Sequence, residues 1–288
     1  KQNELYADAA KILKKKSRET GNIRFKIALA ENYRLAGKFR QALKIYDEVE
    51  ATRGLSEFLI LQKAEIYKSE GKALKGEQEL LKLVKAMPES SEIYILTAEY
   101  LEEAGYSEKA MRYYRKSLEI DSMNIFALTN LADYHNKKGD YREGLRYLNN
   151  AFQLDEIEVE KKVNALMYFF TDDGLFKENG QYLEKLIVSL NRKYPDNPGV
   201  LSLSYDYYRK TEDSEKAYVF INRILEIKQD NYMYWQQAVY TASILEEYDD
   251  IIELVDEAKK YFPNKSDLNI FLGLAWLQKE EYEKSYLI

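Results

Sequence analysis

The sequence predicts an all-α protein built from repeated helix pairs, on three observations. Pro and Gly number only 4 and 12 in 288 residues, and so few chain breakers favour long helices over strands and hairpins. The apolar residues recur every three or four positions, as on one face of a helix. A third signal is a fixed period of 34 residues between the glycines Gly37, Gly71, Gly105 and Gly139.

Two further positions in each period carry small residues. An alanine stands seven residues before each glycine, at Ala30, Ala64, Ala98 and Ala132. Five residues after each glycine stand Ala42, Gly76, Ala110 and Gly144. Small side chains at two fixed positions let two helices approach closely, and a glycine permits the tight turn between them. Each unit is therefore predicted to be an antiparallel helix pair.

With this period and these small residues, almost the whole sequence resembles the tetratricopeptide repeat family. The resemblance implies a single solenoid, a right-handed α-α superhelix of about seven and a half helix-turn-helix units. A helix within residues 1–22 precedes units expected near 23–56, 57–90, 91–124, 125–158, 159–197, 198–231, 232–265 and 266–288, the last one truncated. Both ends fall inside a unit, which favours a fragment of a longer array.

The fifth unit is longer than the others. Pro195, which ends it, lies 39 residues after the equivalent Glu156, five more than the usual spacing. The segment near 172–180 contains two glycines and two adjacent aspartates, residues that favour loops. We therefore expect an inserted inter-helix loop there, between helices over about 159–171 and 177–194.

The composition excludes most catalytic and metal-binding chemistry. Zero Cys removes disulfides and thiolate sites. A single His, His135, leaves no imidazole pair, and it occupies an inward packing position of its helix. Gly71–Glu77 resembles a phosphate loop but has Glu77 where a lysine is required. We expect no enzyme activity, no cofactor and no metal.

In this family the first helix of each unit lines the concave face of the solenoid. The ninth residues of successive units are Glu31, Glu65, Glu99, Asp133, Met167, Asp206, Tyr240 and Leu274. Acidic residues thus give way to apolar ones, and a row of carboxylates favours a basic partner. We expect the partner-binding groove at Glu65, Glu99, Glu102, Glu103, Asp133, Phe126, Asp206 and Tyr240. We expect further apolar anchors on the same face at Met167, Phe170, Met233, Leu274 and Leu277. The alternative is contact with the neighbouring unit, which is favoured for Phe170 and Leu277.

An alternative role for the acidic residues is to form ion pairs within their own helices. Arg34, Lys68 and Arg209 each follow an acidic ninth residue by three positions and can pair with it across one helical turn. Only the third unit, with Glu92, Glu99, Glu102 and Glu103, has no basic residue at the equivalent positions. An acidic binding patch is therefore expected chiefly in that unit.

The resemblance implies a non-enzymatic scaffold that binds a protein or peptide segment, here one with a basic stretch. Ile27 and Leu61 stand where the family's carboxylate-clamp members carry lysine, which argues against binding of a chaperone tail. The net charge of −6 and the missing basic stripe argue against nucleic acid.

Two other functions are compatible with the sequence. One is a structural spacer that self-associates through its uncapped end helices, and the other is an accessory array of a longer enzymatic or membrane-anchored protein. No apolar run is long enough to insert this segment into a membrane. The resemblance to bacterial arrays, some of which are exported lipoproteins, favours a periplasmic or exported location over a cytoplasmic one.

Overall fold

A computed structural model describes residues 2–287 of the chain, with side chains from residue 5 onward. Throughout this range the regular elements are helices, as the sequence predicts. Contacts between the helices divide the chain into two compact units, Lys1–Asp140 and Tyr141–Ile288. None of the described helices is both long and apolar enough to cross a membrane.

The first unit is a succession of helix pairs. Its helices are α1 (Gln2–Thr20), α2 (Ile23–Leu35), α3 (Phe39–Arg53), α4 (Glu57–Ser69), α5 (Ala73–Ala86), α6 (Ser91–Glu103), α7 (Ser107–Ile120) and α8 (Ile125–Lys137). Helix α2 pairs with α3, α4 with α5, and α6 with α7, while α1 packs on α2. The core of each pair is apolar, with Tyr46 and Tyr114 fully enclosed, so part of the tyrosine content serves packing.

The second unit continues the same pattern. Its helices are α9 (Tyr141–Ala151), α10 (Val159–Met167), α11 (Asp173–Lys193), α12 (Pro198–Lys210), α13 (Ser214–Ile227), α14 (Tyr232–Ile244), α15 (Tyr248–Tyr261), α16 (Asn269–Gln278) and α17 (Tyr282–Tyr286). Helices α12 and α14 are preceded by the N-caps Asn197 and Asn231, whose side chains accept hydrogen bonds from the first-turn amides. Such caps satisfy amides that would otherwise lack a partner.

Seven turns between consecutive helices each contain one left-handed residue of the repeat, whereas the turn between α10 and α11 contains none. In the first unit these residues are the predicted glycines Gly37, Gly71, Gly105 and Gly139, with φ between 69° and 83°. In the second unit they are Glu212, Glu246 and Glu280, with φ near 60°. These glutamates are also 34 residues apart, so the period persists where the sequence no longer marks it with glycine.

The small residues of the repeat lie where helices touch, as predicted. Ala30, Ala64 and Ala98 are fully buried. At Gly76 a Cβ atom would lie 1.8 Å from the hydroxyl oxygen of Tyr100. That hydroxyl donates a hydrogen bond to the Ala64 carbonyl, so the glycine makes room for a buried link between two repeats.

The loop predicted near 172–180 is wrong. A short 3-10 turn over Tyr168–Phe170 follows α10, and α11 begins at Asp173 and runs for 21 residues. The Asp172 carboxylate accepts the Leu175 amide at 2.8 Å and caps the helix. Phe176 is buried on the inner side of α11. Capping and burial outweigh the helix-breaking tendency of the two glycines, and the five extra residues lengthen a helix.

Candidate partner-binding faces

The first helices of the repeats in the first unit present acidic residues at equivalent positions. In α4, α6 and α8 the eighth residue is a buried alanine. The ninth residue is solvent-accessible in all three helices, at Glu65, Glu99 and Asp133. Because these residues are one repeat apart, they occupy the same place on successive helix pairs.

Lys68 links two of the predicted acidic residues. Its Nζ atom lies 2.8 Å from Glu65 Oε1 and 2.6 Å from Glu103 Oε2. Burial lowers the pKa of Lys68, but the two carboxylates outweigh that effect and hold it above its ordinary value. The predicted pairing with Glu65 is confirmed. The expectation that the acidic residues of the third repeat have no basic partner is wrong for Glu103. Lys68, on the first helix of the preceding repeat, α4, forms an ion pair with it.

Three carboxylates of α6, Glu99, Glu102 and Glu103, form what we call the acidic triad. Glu102 accepts a hydrogen bond from the Tyr114 hydroxyl at 3.0 Å. Glu99 makes no hydrogen bond or ion pair with any residue that the structure describes. Partial burial, together with the charges of Glu103 and Glu102, raises its pKa. The triad thus holds three carboxylates against one lysine.

The remaining predicted residues of the first unit, Asp133 and Phe126, contribute little net negative charge. The Asp133 carboxylate lies 2.5 Å from Lys137 Nζ, one turn further along α8. This exposed pair largely cancels the field of Asp133. Phe126, at the start of α8, is 57% exposed and is available as an apolar anchor.

In the second unit, Asp206 lies on α12 and is half-buried. Its carboxylate is 3.8 Å from Arg209, as the spacing predicted. Burial raises the pKa of Asp206, and the positive charge of Arg209 only partly opposes that shift. Asp206 is therefore a weaker anionic contact than its place in the sequence pattern suggested.

Apolar side chains are exposed along one side of α14. Met233 and Tyr240 are each about half exposed, and so is Ile244, which the sequence analysis did not select. The intervals of seven and four residues place these three side chains on one helical face. We call Met233, Tyr240 and Ile244 the apolar stripe. The four-residue interval from Tyr240 to Ile244 was the signal that could have identified Ile244.

The predicted site residues therefore belong to two separate groups. Glu65, Glu99, Glu102, Glu103, Phe126 and Asp133 lie in the first unit, and Asp206 and Tyr240 lie in the second. Of the remaining predicted anchors, Met167, Leu274 and Leu277 are exposed. Phe170, for which a packing role was favoured, packs against Phe176, with ring centroids 5.1 Å apart.

The helix pairs and the 34-residue spacing of their left-handed turns define the architecture. The described part of the chain is a helical repeat array of consecutive helix pairs. No family model matches it, and no curated protein matches it.

Among solved structures, the array is similar to a tetratricopeptide repeat protein from Parabacteroides merdae, with 14% identity, coverage of 88% of this chain and 98% of that one, and a TM-score of 0.42. The C-terminal part of a TPR repeat-containing protein from Cytophaga hutchinsonii has 16% identity, with coverage of 89% of this chain and 93% of that one, and a TM-score of 0.40. YrrB, described as a TPR protein with an unusual peptide-binding site, has 17% identity, coverage of 72% and 86%, and a TM-score of 0.31.

Proposed function

We propose that this array is a non-enzymatic scaffold whose first unit binds a basic protein or peptide segment at the acidic triad. The observation that supports this most is the state of Glu99. Its carboxylate has no partner within the described residues, and its pKa is raised by burial and by two neighbouring carboxylates. A cation from a partner would relieve the repulsion among these carboxylates, and this relief would contribute to the free energy of binding.

The surroundings of the triad fit an extended basic segment better than a single ion. Glu65 and Asp133 lie one repeat before and one repeat after Glu99 and continue the anionic positions in both directions. Both are paired within the chain, however, by Lys68 and Lys137. Binding energy should therefore be concentrated at the triad, and the exposed Phe126 on α8 is a further apolar contact.

The second unit offers a different kind of contact. The apolar stripe on α14 is suited to aliphatic or aromatic side chains of a partner, and a few such anchors usually supply most of the affinity of an interface. It is an independent contact surface in this proposal, and the acidic triad alone determines the preference for basic segments.

The experiment is fluorescence anisotropy with two short labelled peptides, one alternating Lys and Ser and the other alternating Glu and Ser. The intact chain should bind the lysine peptide and not the glutamate peptide. Glu99→Lys with Glu102→Lys should weaken binding by about tenfold or more, because two attractions become repulsions. It should also reduce the dependence of affinity on salt.

A matched control variant carries the same change in charge on a second helix. Glu108→Lys with Glu119→Lys alters two exposed carboxylates of α7 and should leave the affinity nearly unchanged. Equal weakening by both double variants would mean that only the overall charge matters, and the proposal would fail. Unchanged affinity in the Glu99 and Glu102 variant would also refute it.

A further inference from the structure

A basic cavity of about 480 Å³ lies between α1, α2 and α3 of the first unit. Leu29, Tyr33 and Ile45 contribute apolar surface to it. Four cationic side chains also line it: Lys14, Arg18, Lys26 and Lys44. Glu48 is the one carboxylate in the lining. This volume is in the range of small-molecule sites, and its charge is opposite to that of the whole chain.

The positive charge of this cavity is largely uncompensated. Lys26 Nζ is 3.8 Å from Glu48, the outer limit of an ion pair. Lys14, Arg18 and Lys44 form no ion pair with any residue for which the structure gives a side chain. Like charges placed together in this way repel one another unless an anion joins them.

Ser17 supplies a hydroxyl donor to the lining of the cavity. It lies between Lys14 and Arg18 on α1, lines the cavity and is only 7% exposed. Within the described part of the chain its hydroxyl has no hydrogen-bond partner. An anion in the cavity would provide the acceptor.

The next repeat shows that this charge is not a general feature of such clefts. Between α3, α4 and α5, the place of Leu29 is taken by Lys63, whose ammonium contacts Asp47, Glu50 and Glu79. The residues 34 positions before those three carboxylates are Leu13, Lys16 and Ile45. The cleft at α1 thus lacks the acidic residues that neutralise its neighbour, and its own cations remain available.

We propose that this cavity binds a phosphate group, either as free phosphate or as a small phosphomonoester. A phosphate dianion offers several acceptor oxygens to the Arg18 guanidinium, the lysine ammonium groups and the Ser17 hydroxyl at the same time. A carboxylate has two oxygens and a single charge, so it satisfies fewer of these donors. The site is formed by other helices than the acidic triad and does not depend on the peptide-binding proposal.

The test is isothermal titration calorimetry of the full chain at constant ionic strength, with inorganic phosphate in one arm and O-phosphoserine in the other. The proposal requires saturable binding of at least one of them, and the tighter ligand identifies the source of the group. Lys14→Gln with Arg18→Gln should weaken binding by about tenfold or more. Ser17→Ala, which removes only a hydroxyl, should weaken it several-fold.

The matched control is Lys11→Gln with Lys15→Gln, which removes the same charge from the same helix. Both lysines are highly exposed and pair with acidic residues of α1, so affinity should change by less than about twofold. Circular dichroism verifies that each variant folds, and Ser17→Ala provides the test if the charge variant does not. Absence of heat with both ligands, equal weakening by both double variants, or unchanged affinity in Ser17→Ala would each overturn the proposal.

Discussion

Replacing Lys63 by Met should destabilise the first unit by about 3 to 5 kcal/mol. Lys63 is 2% exposed, and its Nζ atom lies 2.6 Å from Asp47 and 2.8 Å from both Glu50 and Glu79. Burial lowers its pKa, but the hydrogen bonds to the three carboxylates outweigh burial and raise it overall, so the amine is charged. Met keeps the apolar stem of the side chain and removes the charge.

The magnitude follows from how far each carboxylate is buried. The side chains of Glu50 and Glu79 are 18% and 15% exposed, whereas Asp47 faces solvent and contributes little. A hydrogen bond to a buried charged group contributes about 1.5 to 3 kcal/mol, which gives roughly 3 to 6 kcal/mol for two. Lys82 also contacts Glu50 at 3.1 Å and Glu79 at 2.7 Å and offsets part of the loss.

The assay is urea denaturation followed by far-ultraviolet circular dichroism and by tryptophan fluorescence. Trp235 and Trp276 both lie in the second unit, so their transition serves as an internal control. The circular dichroism transition should move to lower urea, and the fluorescence transition should move less. Lys63→Leu with Glu79→Ile, the residues found one repeat earlier, should recover more than half of the loss. A change below about 1 kcal/mol in Lys63→Met would refute the reasoning.

Three other predictions use the same denaturation assay. Gly105→Ala should lower the free energy of unfolding by about 1 to 2 kcal/mol, because alanine is disfavoured in the left-handed backbone of this turn. Glu246→Gly, at an equivalent turn, should raise the free energy of unfolding by about 0.5 kcal/mol. Equal effects of the same sign would contradict this prediction. Gly76→Ala should cost about 1 to 3 kcal/mol because its Cβ meets the Tyr100 hydroxyl, and a neutral result would show that the helices can separate. Burial raises the pKa of Glu50, but hydrogen bonds from Lys63 and Lys82 outweigh it and lower the pKa below 4.5. The contribution of Glu50 to the free energy of unfolding is therefore present above that pH and lost as the pH falls through the pKa of Glu50 in the folded protein. In Lys63→Met, the free energy of unfolding should fall less steeply over this pH range.

Local rules explain why much of the fold could be predicted from the sequence. A left-handed turn favours glycine, so Gly37 and its three successors mark the repeat directly. At Glu246 the same turn holds a residue that tolerates it poorly, and the surrounding helix pair imposes the conformation. Gly174 and Gly180 also favour a loop by local rules. The burial of Phe176 stabilises α11 over this segment, and that burial depends on tertiary packing, which the local sequence does not show.

The candidate sites were predictable only in part. The acidic ninth positions were visible in the sequence, as was the pairing of Lys68 with Glu65. The second contact of Lys68, with Glu103, joins residues 35 positions apart in neighbouring helices and depends on how those helices pack. The basic cavity was not predicted, because its lining also depends on how the helices pack. The sequence does not show which cations of α1 lie beside Ser17.

The measurement that tests the central proposal most directly is amide hydrogen exchange of the full chain with and without the peptide of alternating Lys and Ser. We expect slower exchange in the first helices α4, α6 and α8, with the largest effect in α6 around Glu99 and Glu102. Helices α5 and α7 should change little. Equal protection of first and second helices, or protection confined to the second unit, would contradict binding at the acidic triad.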